Sequence, residues 1–316
     1  MKTHRNYISN VIYEESNEDS NSISKLNLKK NKIPNKHLRN EDNCQNSFSK
    51  EETYFLKKES LNNSSFENSE MNLSEIDEIN IIVNYNQVIE YFSNLNFSNK
   101  KNFLSYDNLE QEKCCSNFFI CGKEKSKLNP NLKKEKEKII CFSKILYNEN
   151  DNIHYNILTT IYNFLTETNF CPKKGNHWLK IGLKLNYDLK MFSLIQILFL
   201  KDYHSVFFKN LFLFFKQNTF EYLFLFSLLN LSEITLNCLK NGSLIKICNR
   251  KNNVMNVINE FFCCLVYQFY LLLNIKDNQK LNFQFLNEQI NNLKKLGNRT
   301  PNFIYSKKSY LEQYKY

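Results

Sequence analysis

The residues best suited to chemistry are concentrated in residues 178–200, which read WLKIGLKLNYDLKMFSLIQILFL. This stretch contains the only tryptophan of the chain, Trp178, and one of its five glycines, Gly182. An acid and a cation, Asp188 and Lys190, stand two residues apart just before a long apolar run. The Asp188 carboxylate can orient the Lys190 ammonium group or cap the helix that follows, and capping is the favoured interpretation. Trp178 is interpreted as a core residue in preference to a contact residue.

Other catalytic and metal-binding arrangements have little support. The five glycines are isolated, so no glycine-rich phosphate loop is predicted. The histidines are too dispersed to define a site, and no Cys–His pairing stands out. Cys114, Cys115 and Cys121 are close together, but they lack the CxxC spacing or the nearby histidine of a zinc site. We therefore expect no metal and no cofactor.

The formal charge of +10 raises the possibility of a nucleic-acid or anionic membrane partner. The lysines are scattered and interleaved with glutamate, as in KKEKEK at residues 133–138, and only four arginines offer bidentate contacts. A solvated surface without a nucleic-acid partner is therefore expected. The first residues, MKTHRNYISN, lack the apolar core of a secretory signal, which favours a cytoplasmic location.

Two apolar segments invite comparison with membrane helices. Residues 222–231 and 261–275 are each shorter than the roughly 18–20 apolar residues that a bilayer requires. We expect both to be core helices, and we expect no transmembrane segment.

The elements that position residues 178–200 are predicted from composition and periodicity. Residues 1–72 are rich in Asn, Ser, Lys and Glu and predict a disordered arm. A capping-box pattern at Ser74 predicts an isolated helix within residues 73–97, which can pack on the main domain. Residues 98–140 predict a charged insertion of low order, residues 141–296 the main helical domain, and residues 297–316 a C-terminal tail.

Helical periodicity predominates in residues 141–296, and no period-two pattern competes with it, so an all-α bundle is predicted. A helix is expected to begin near Asp151 or Asn152, and Asn241–Gly242 is expected to end another. The clearest apolar stripe starts at Val254 and spans about five turns. A last helix is expected to end at Gly297.

The order of these elements resembles the ELMO (engulfment and cell motility) domain. Four groups of residues carry the resemblance, and their order and spacing are similar to those of the family. They are Asn152-Ile153-His154 with Leu158 and Tyr162; Trp178 with Ile181-Gly182; Asn230-Leu231-Ser232 with Gly242; and Asn259-Glu260-Phe261-Phe262 with Phe285-Leu286-Asn287. The resemblance implies an all-α domain that acts on small GTPases.

The functional segment of the family reads Asp-Phe-Arg-Gly-x-Gly, and its Arg is thought to act as an arginine finger on Arf-like GTPases. The matching residues here are 188–193, so Lys190 stands at the finger position and both glycines are replaced. About three residues are also missing between Gly182 and Asp188. The resemblance implies a set of GTPase-contact candidates, to which we add a second basic residue in a polar loop: Trp178, Gly182, Lys184, Asp188, Lys190, Ser193 and Arg250.

Lysine cannot reproduce the planar, delocalised fork of arginine. The first hypothesis is therefore a regulator that binds an Arf- or Arl-type GTPase with its activating function weakened or lost, not an enzyme in its own right. Contact with a membrane would then be peripheral and made through the GTPase. A second hypothesis is a helical scaffold in an assembly with a DOCK-type exchange factor. A third is an active GTPase-activating protein that uses Lys190 or Arg250.

Overall fold

The fold consists of helices joined by short turns. The computed structural model describes residues 81–95, 127–169, 175–183, 189–274 and 282–314, all within the unit Glu70–Tyr316. The α-helices are α1 (Tyr85–Asn94), α2 (Pro130–Phe142), α3 (Asn152–Thr166), α4 (Met191–Tyr203), α5 (Ser205–Gln217), α6 (Phe224–Lys240), α7 (Ile245–Lys251), α8 (Val254–Asn274), α9 (Phe283–Arg299), α10 (Pro301–Ser306) and α11 (Lys308–Leu311). Short 3₁₀ helices cover Asn176–Ile181, Glu221–Leu223 and Glu312–Tyr314. The described residues contain no strand, which confirms the all-α prediction.

The core is built around α4 and α8. Residues 191–200 of α4 are all buried, because this helix is apolar on every side and packs against α1, α3, α6 and α8. Helix α8 is contacted by α2, α6, α9, α10 and α11. Removing this apolar surface from water is the main contribution to the stability of the bundle.

Several helix boundaries agree with the sequence predictions. The side chain of Asp151 accepts hydrogen bonds from the backbone N–H groups of Ile153 and His154, and so caps α3. Helix α6 ends at Lys240, and Gly242 follows with a φ of 86°. Helix α8 begins at Val254, at the start of the predicted apolar stripe. These features are local, and this is why periodicity and turn residues suffice to predict them.

A single helix from Ser74 to Leu95 is excluded by the structure. Residues 81–84 are not helical, and α1 begins after Asn84. The capping box that forms is the one between Asn84 and Gln87, in which each side chain accepts a hydrogen bond from the backbone of the other residue. Ser74 and the predicted disordered arm, residues 1–72, lie outside the described residues. Helix α1 packs on the bundle through Val88 and Phe92, both fully buried.

The predicted low-order insertion, residues 98–140, is wrong in its final part. Residues 130–140 lie in helix α2, which has Pro130 at its first position and buries Leu132, Ile139 and Ile140. The run KKEKEK occupies this helix, and the outer lysines are exposed while Glu135 turns inward. Charged side chains therefore obscured an amphipathic helix. Residues 98–126 lie outside the described residues.

The predicted C-terminal boundary is also wrong. Helix α9 continues past Gly297 to Arg299, and α10 and α11 follow it and pack on α8. Gly297 is buried, and a Cβ atom there would lie 3.3 Å from Sγ of Cys238. It therefore permits close packing of α9 on α6 and does not end the helix.

Two helical segments of the described part of the chain are long and apolar enough to cross a membrane, which corrects the argument from length. They are Glu221–Lys240, with 20 residues, and Val254–Asn274, with 21 residues. In each, 67% of the most apolar window is buried inside the protein. Such burial is expected of core helices. Core helices and membrane helices have similar apolar compositions, so composition alone does not separate them.

Candidate functional site

Lys190 is held at the surface by its backbone. It immediately precedes α4, with φ −84° and ψ 129°, and it forms an isolated antiparallel bridge with Leu146. The N–H group of Met191 donates to the carbonyl of Ile145 at 2.9 Å, and the N–H group of Tyr147 donates to the carbonyl of Leu189 at 2.7 Å. These bonds fix the start of α4 against the segment that leads into α3. The position of the Lys190 Cα atom is therefore well determined by the fold.

The Lys190 side chain is an exposed cation that already has an acidic partner. Its Nζ atom lies 2.7 Å from Oε2 of Glu233 on α6, and the two side chains are 40% and 41% exposed. Leu146, next to this pair, is 47% exposed. An exposed ion pair of this kind contributes less than about 1 kcal/mol, since water and salt screen it. The ammonium group can therefore leave Glu233 at little cost.

Asp188 and Lys184 lie outside the described residues, so neither can be placed beside Lys190. Helix α4 begins at Met191, which makes Lys190 its N-cap residue, with no side-chain hydrogen bond to the helix. The interpretation of Asp188 as a cap of this helix stays a prediction, because its side chain is not among the described residues. Glu233 could not be identified from local patterns either, because it is 43 residues away from Lys190 in the chain.

Trp178 and Ser193 are interior residues. Trp178 is 1% exposed, and its ring centroid lies 5.2 Å from that of Tyr162 and 4.6 Å from that of His177. Ser193 is 5% exposed in the first turn of α4. Neither side chain presents a surface to a partner in this conformation. The interpretation of Trp178 as a core residue agrees with this placement.

Gly182 has a structural reason for its identity. It follows the 3₁₀ helix Asn176–Ile181 with a φ of 78°, a conformation that side-chain-bearing residues rarely adopt. A Cβ atom there would lie 2.6 Å from the backbone oxygen of Tyr222. Gly182 thus allows the 3₁₀ helix Asn176–Ile181 to pack closely against the 3₁₀ helix Glu221–Leu223, which leads into α6.

Arg250 lies elsewhere on the bundle. It is exposed in the last turn of α7, so residues 249–251 belong to a helix and not to the predicted polar loop. Its charge acts on the hydroxyl group of Tyr305 in α10, where it opposes the stronger effects of burial and of Glu260, which raise the pKa of Tyr305. Lys190, in contrast, is beside Glu233 of α6.

A buried polar network links the central helices, and its pairings were not predicted from the sequence. The hydroxyl group of Ser232 donates to Oε1 of Gln196 at 2.7 Å, and Nε2 of Gln196 donates to the carbonyl of Ile258 at 3.3 Å. Nδ2 of Asn259 donates to the hydroxyl oxygen of Tyr85 at 2.6 Å. Such bonds pair polar atoms that would be costly to bury alone, and they fix the register of α4, α6 and α8.

Glu260 anchors the C-terminal helices in the same way. Its carboxylate accepts a hydrogen bond from the hydroxyl group of Tyr305 and pairs with the ammonium group of Lys308. Glu260 belongs to the Asn259–Glu260 pair that carries part of the family resemblance. Its carboxylate is therefore already bound by residues of α10 and α11. Neither partner could be identified from periodicity, because both are more than 40 residues away.

The remaining titratable groups of interest are buried. His154 accepts a hydrogen bond at Nδ1 from the backbone of Asn148, and burial lowers its pKa, so it is neutral at pH 7. Burial raises the pKa of the Cys238 and Cys248 thiols to about 12, so both are protonated. Among the described residues, no group of three or more His, Cys, Asp or Glu side chains is arranged to hold a metal ion.

One open cavity, of about 220 Å³, lies between α1, α4, α8 and α11. Its polar lining includes Tyr85, Asn256, Glu260 and Lys308. None of the predicted GTPase-contact candidates lines it. It is therefore separate from the surface around Lys190.

Comparison with known proteins supports the resemblance to the ELMO domain. Residues 137–285 match the ELMO/CED-12 family. The chain carries an ELMO domain. It is 26% identical over 145 residues to ELMO domain-containing protein 3 of Homo sapiens, covering 43% of this chain and 38% of that protein. It is 21% identical over 203 residues to ELMO domain-containing protein 3 of Mus musculus, covering 57% of this chain and 49% of that protein.

The chain thus spans between about two fifths and one half of the length of these relatives. No solved structure matches it. The family match, residues 137–285, contains Lys190, Glu233 and the buried network of α4, α6 and α8. Helices α1, α10 and α11 lie outside the match, yet they hold Asn259 and Glu260 of the domain.

Proposed function

We propose that the chain binds a small GTPase of the Arf or Arl type through the surface around Lys190, with its activating function weakened or lost. ELMO proteins are linked to GTPase regulation. The observation that carries the proposal is the placement of Lys190. It stands at the position that resembles the finger of the family, on a rigid backbone and with a half-exposed ammonium group.

The chemistry of the side chain limits what Lys190 can do. An arginine finger spreads its positive charge over a planar fork and stabilises the phosphoryl group in transit, which raises the rate by roughly 10³ to 10⁵. Lys190 offers a compact, strongly hydrated charge instead. The ion pair with Glu233 lowers the expected rate further, by less than the loss of the fork does. This pair must open before the ammonium group can reach a phosphate. Binding can therefore persist where stimulation of hydrolysis does not.

Single-turnover GTP hydrolysis by a panel of Arf and Arl GTPases tests this proposal. The full chain is compared with Lys190→Arg, Lys190→Ala and a control, Lys180→Arg, which changes an exposed lysine of the 3₁₀ helix. We expect the wild-type chain to bind at least one GTP-loaded GTPase with little stimulation. Lys190→Arg should raise the rate by at least about tenfold, because it restores the fork. Lys180→Arg should leave it unchanged.

Two outcomes would contradict the proposal. If no GTPase of the panel binds, the surface around Lys190 has another partner, and a DOCK-type exchange factor is the first to assay. If the wild-type chain stimulates strongly and Lys190→Ala abolishes that stimulation, the domain is an active GTPase-activating protein. Arg250→Ala, assayed beside it, shows whether the second cation takes part.

A further inference from the structure

Two stretches of the chain contain basic residues and no acidic ones. Residues 234–259 include four Lys or Arg residues, and residues 289–311 include five, but neither stretch contains Asp or Glu. Elsewhere the lysines alternate with glutamates, as in α2. Over nearly fifty residues, the interleaving that argued for a merely solvated surface is therefore absent.

The fold brings these two stretches together. The first covers the end of α6, α7 and the start of α8, and the second covers the end of α9 with α10 and α11. Nδ2 of Asn241 donates to Oδ1 of Asn298 at 2.7 Å, and the hydroxyl group of Ser243 donates to the carbonyl of Asn298 at 3.4 Å. Arg250 of α7 acts electrostatically on Tyr305 of α10. The turn after α6, the helix α7 and the junction of α9 with α10 thus form one end of the bundle.

Several basic side chains at this end of the bundle are exposed to solvent. We define the basic end by five exposed residues that have no ion pair with any described residue: Lys246, Arg250, Lys251, Lys295 and Arg299. Phe303, four residues after Arg299, is 42% exposed in the first turns of α10. Nζ of Lys307 lies 4.7 Å from the centroid of its ring. A large aromatic side chain is therefore exposed beside a cation of the second basic stretch.

Helix dipoles account for part of this arrangement only. Cations in the last turn of a helix are stabilised by its terminal carbonyl groups, which suffices for Arg250, Lys251 and Arg299. It explains neither Lys246, which lies in the first turn of α7, nor the absence of Asp and Glu from the two stretches, nor the exposed Phe303. A nucleic acid is disfavoured, because the basic end has only two arginines and one exposed aromatic ring for stacking bases.

We propose that the basic end binds membranes containing anionic lipids. The ammonium and guanidinium groups would contact the negatively charged head groups, and Phe303 would enter the boundary between head groups and acyl chains. The binding is to a charged surface and not to one head group, since the five basic residues that define this end are all exposed. It requires no GTPase, so it stands or falls independently of the function proposed above.

Sedimentation with vesicles tests the proposal. The full chain is mixed with phosphatidylcholine vesicles that contain or lack about 30% phosphatidylserine, at about 0.1 M salt. We expect binding only to the anionic vesicles. The variant Lys246→Gln/Arg250→Gln/Lys251→Gln should bind about a hundredfold more weakly, because each charge near an anionic surface contributes about fivefold. Phe303→Ala should bind about tenfold more weakly.

The matched control removes three cations from the 3₁₀ helix Asn176–Ile181 and α5: Lys180→Gln/Lys209→Gln/Lys216→Gln. It has the same net charge as the α7 variant and should bind like the wild type. Thermal unfolding checks that each variant is folded. Should the α7 variant fail to fold, Lys295→Gln/Arg299→Gln on α9 replaces it, with an expected loss of about 25-fold.

Three results would overturn the proposal. One is equal binding by the α7 variant and the control, which would place the lipid contact elsewhere in the chain. Another is binding to neutral vesicles that no variant alters. The third is binding to single-stranded RNA that is tighter than binding to anionic vesicles and is lost in the same variants, which would identify a nucleic-acid surface instead.

Discussion

At the scale of one residue, Gly182 shows how the backbone conformation restricts which residue a position can hold. Its φ is 78°, and the nearest atoms to an added methyl group would be backbone atoms of Tyr222 and Glu221, which cannot rotate away. Gly242 has a similar φ of 86°, but a Cβ atom there would meet only the side chain of Ile245, whose Cδ1 atom would lie 3.1 Å away. Both glycines therefore have a left-handed backbone conformation, but only Gly182 lies so close to another backbone segment that a Cβ atom would clash with it.

We predict that Gly182→Ala lowers the free energy of unfolding by about 3 kcal/mol or more, from left-handed strain plus a clash. Gly242→Ala should cost about 1 kcal/mol, from strain alone. Urea unfolding of both variants measures the difference. Equal losses would mean that the contact with Tyr222 is unimportant and that φ alone accounts for the glycine.

Other residues show where the sequence was sufficient and where it was not. The Asp151 cap was predicted because the acid and the helix it begins are adjacent in the chain. The burial of Ser193 was not, since a polar residue in an apolar helix can face either way until its neighbours are known. The partner of Lys190 could not be predicted at all, because ion pairs between helices depend on the packing of α4 against α6.

Helix α2 shows at the scale of an element how a charged segment becomes structural. Its Glu135 reaches the N-terminus of α8, where its two carboxylate oxygens accept hydrogen bonds from the N–H groups of Val254 and Met255 at 3.0 and 2.8 Å. A cap normally comes from the residue just before the helix. Asn253 occupies that position and accepts a hydrogen bond from the N–H group of Asn256 at 2.7 Å, so the two bonds to Glu135 are an additional cap. Glu135 is 119 residues away from Val254, which explains why a scan of local patterns assigned its segment to a low-order insertion.

We predict that Glu135→Ala destabilises the fold by about 1–2 kcal/mol, since α8 loses both hydrogen bonds and a negative charge at its positive end. Glu135→Gln should cost less, because it retains one acceptor oxygen. Glu137→Ala, on the same helix, is the control and should change stability by less than about 0.5 kcal/mol. Thermal unfolding compares the three, and a loss in the control equal to that of Glu135→Ala would rule out capping as the cause.

At the scale of the whole molecule, the folded unit is larger than the part that matches the ELMO/CED-12 family. The ELMO match begins at residue 137 and ends at residue 285, whereas α1 and the C-terminal helices cover α8 from both sides of that range. Ile304, Tyr305 and Leu311 are buried against the bundle. Two polar residues of α8 that carry the family resemblance, Asn259 and Glu260, thus form hydrogen bonds with segments outside the match, which were predicted only as a helix and a tail.

We predict that truncation after residue 299, which removes α10 and α11, destabilises the ELMO domain by about 3 kcal/mol or more. The carboxylate of Glu260 would lose Tyr305 and Lys308, and the apolar surface of α8 around Cys264 would be exposed to water. Tyr305→Phe isolates the hydrogen bond and should cost about 1–2 kcal/mol. Ser309→Ala, at an exposed position of α11, should be nearly neutral. Hydrogen exchange along α8 measures the effect directly: protection of α8 should fall in the truncated chain, and unchanged protection would show that residues 137–285 hold the fold without the C-terminal helices.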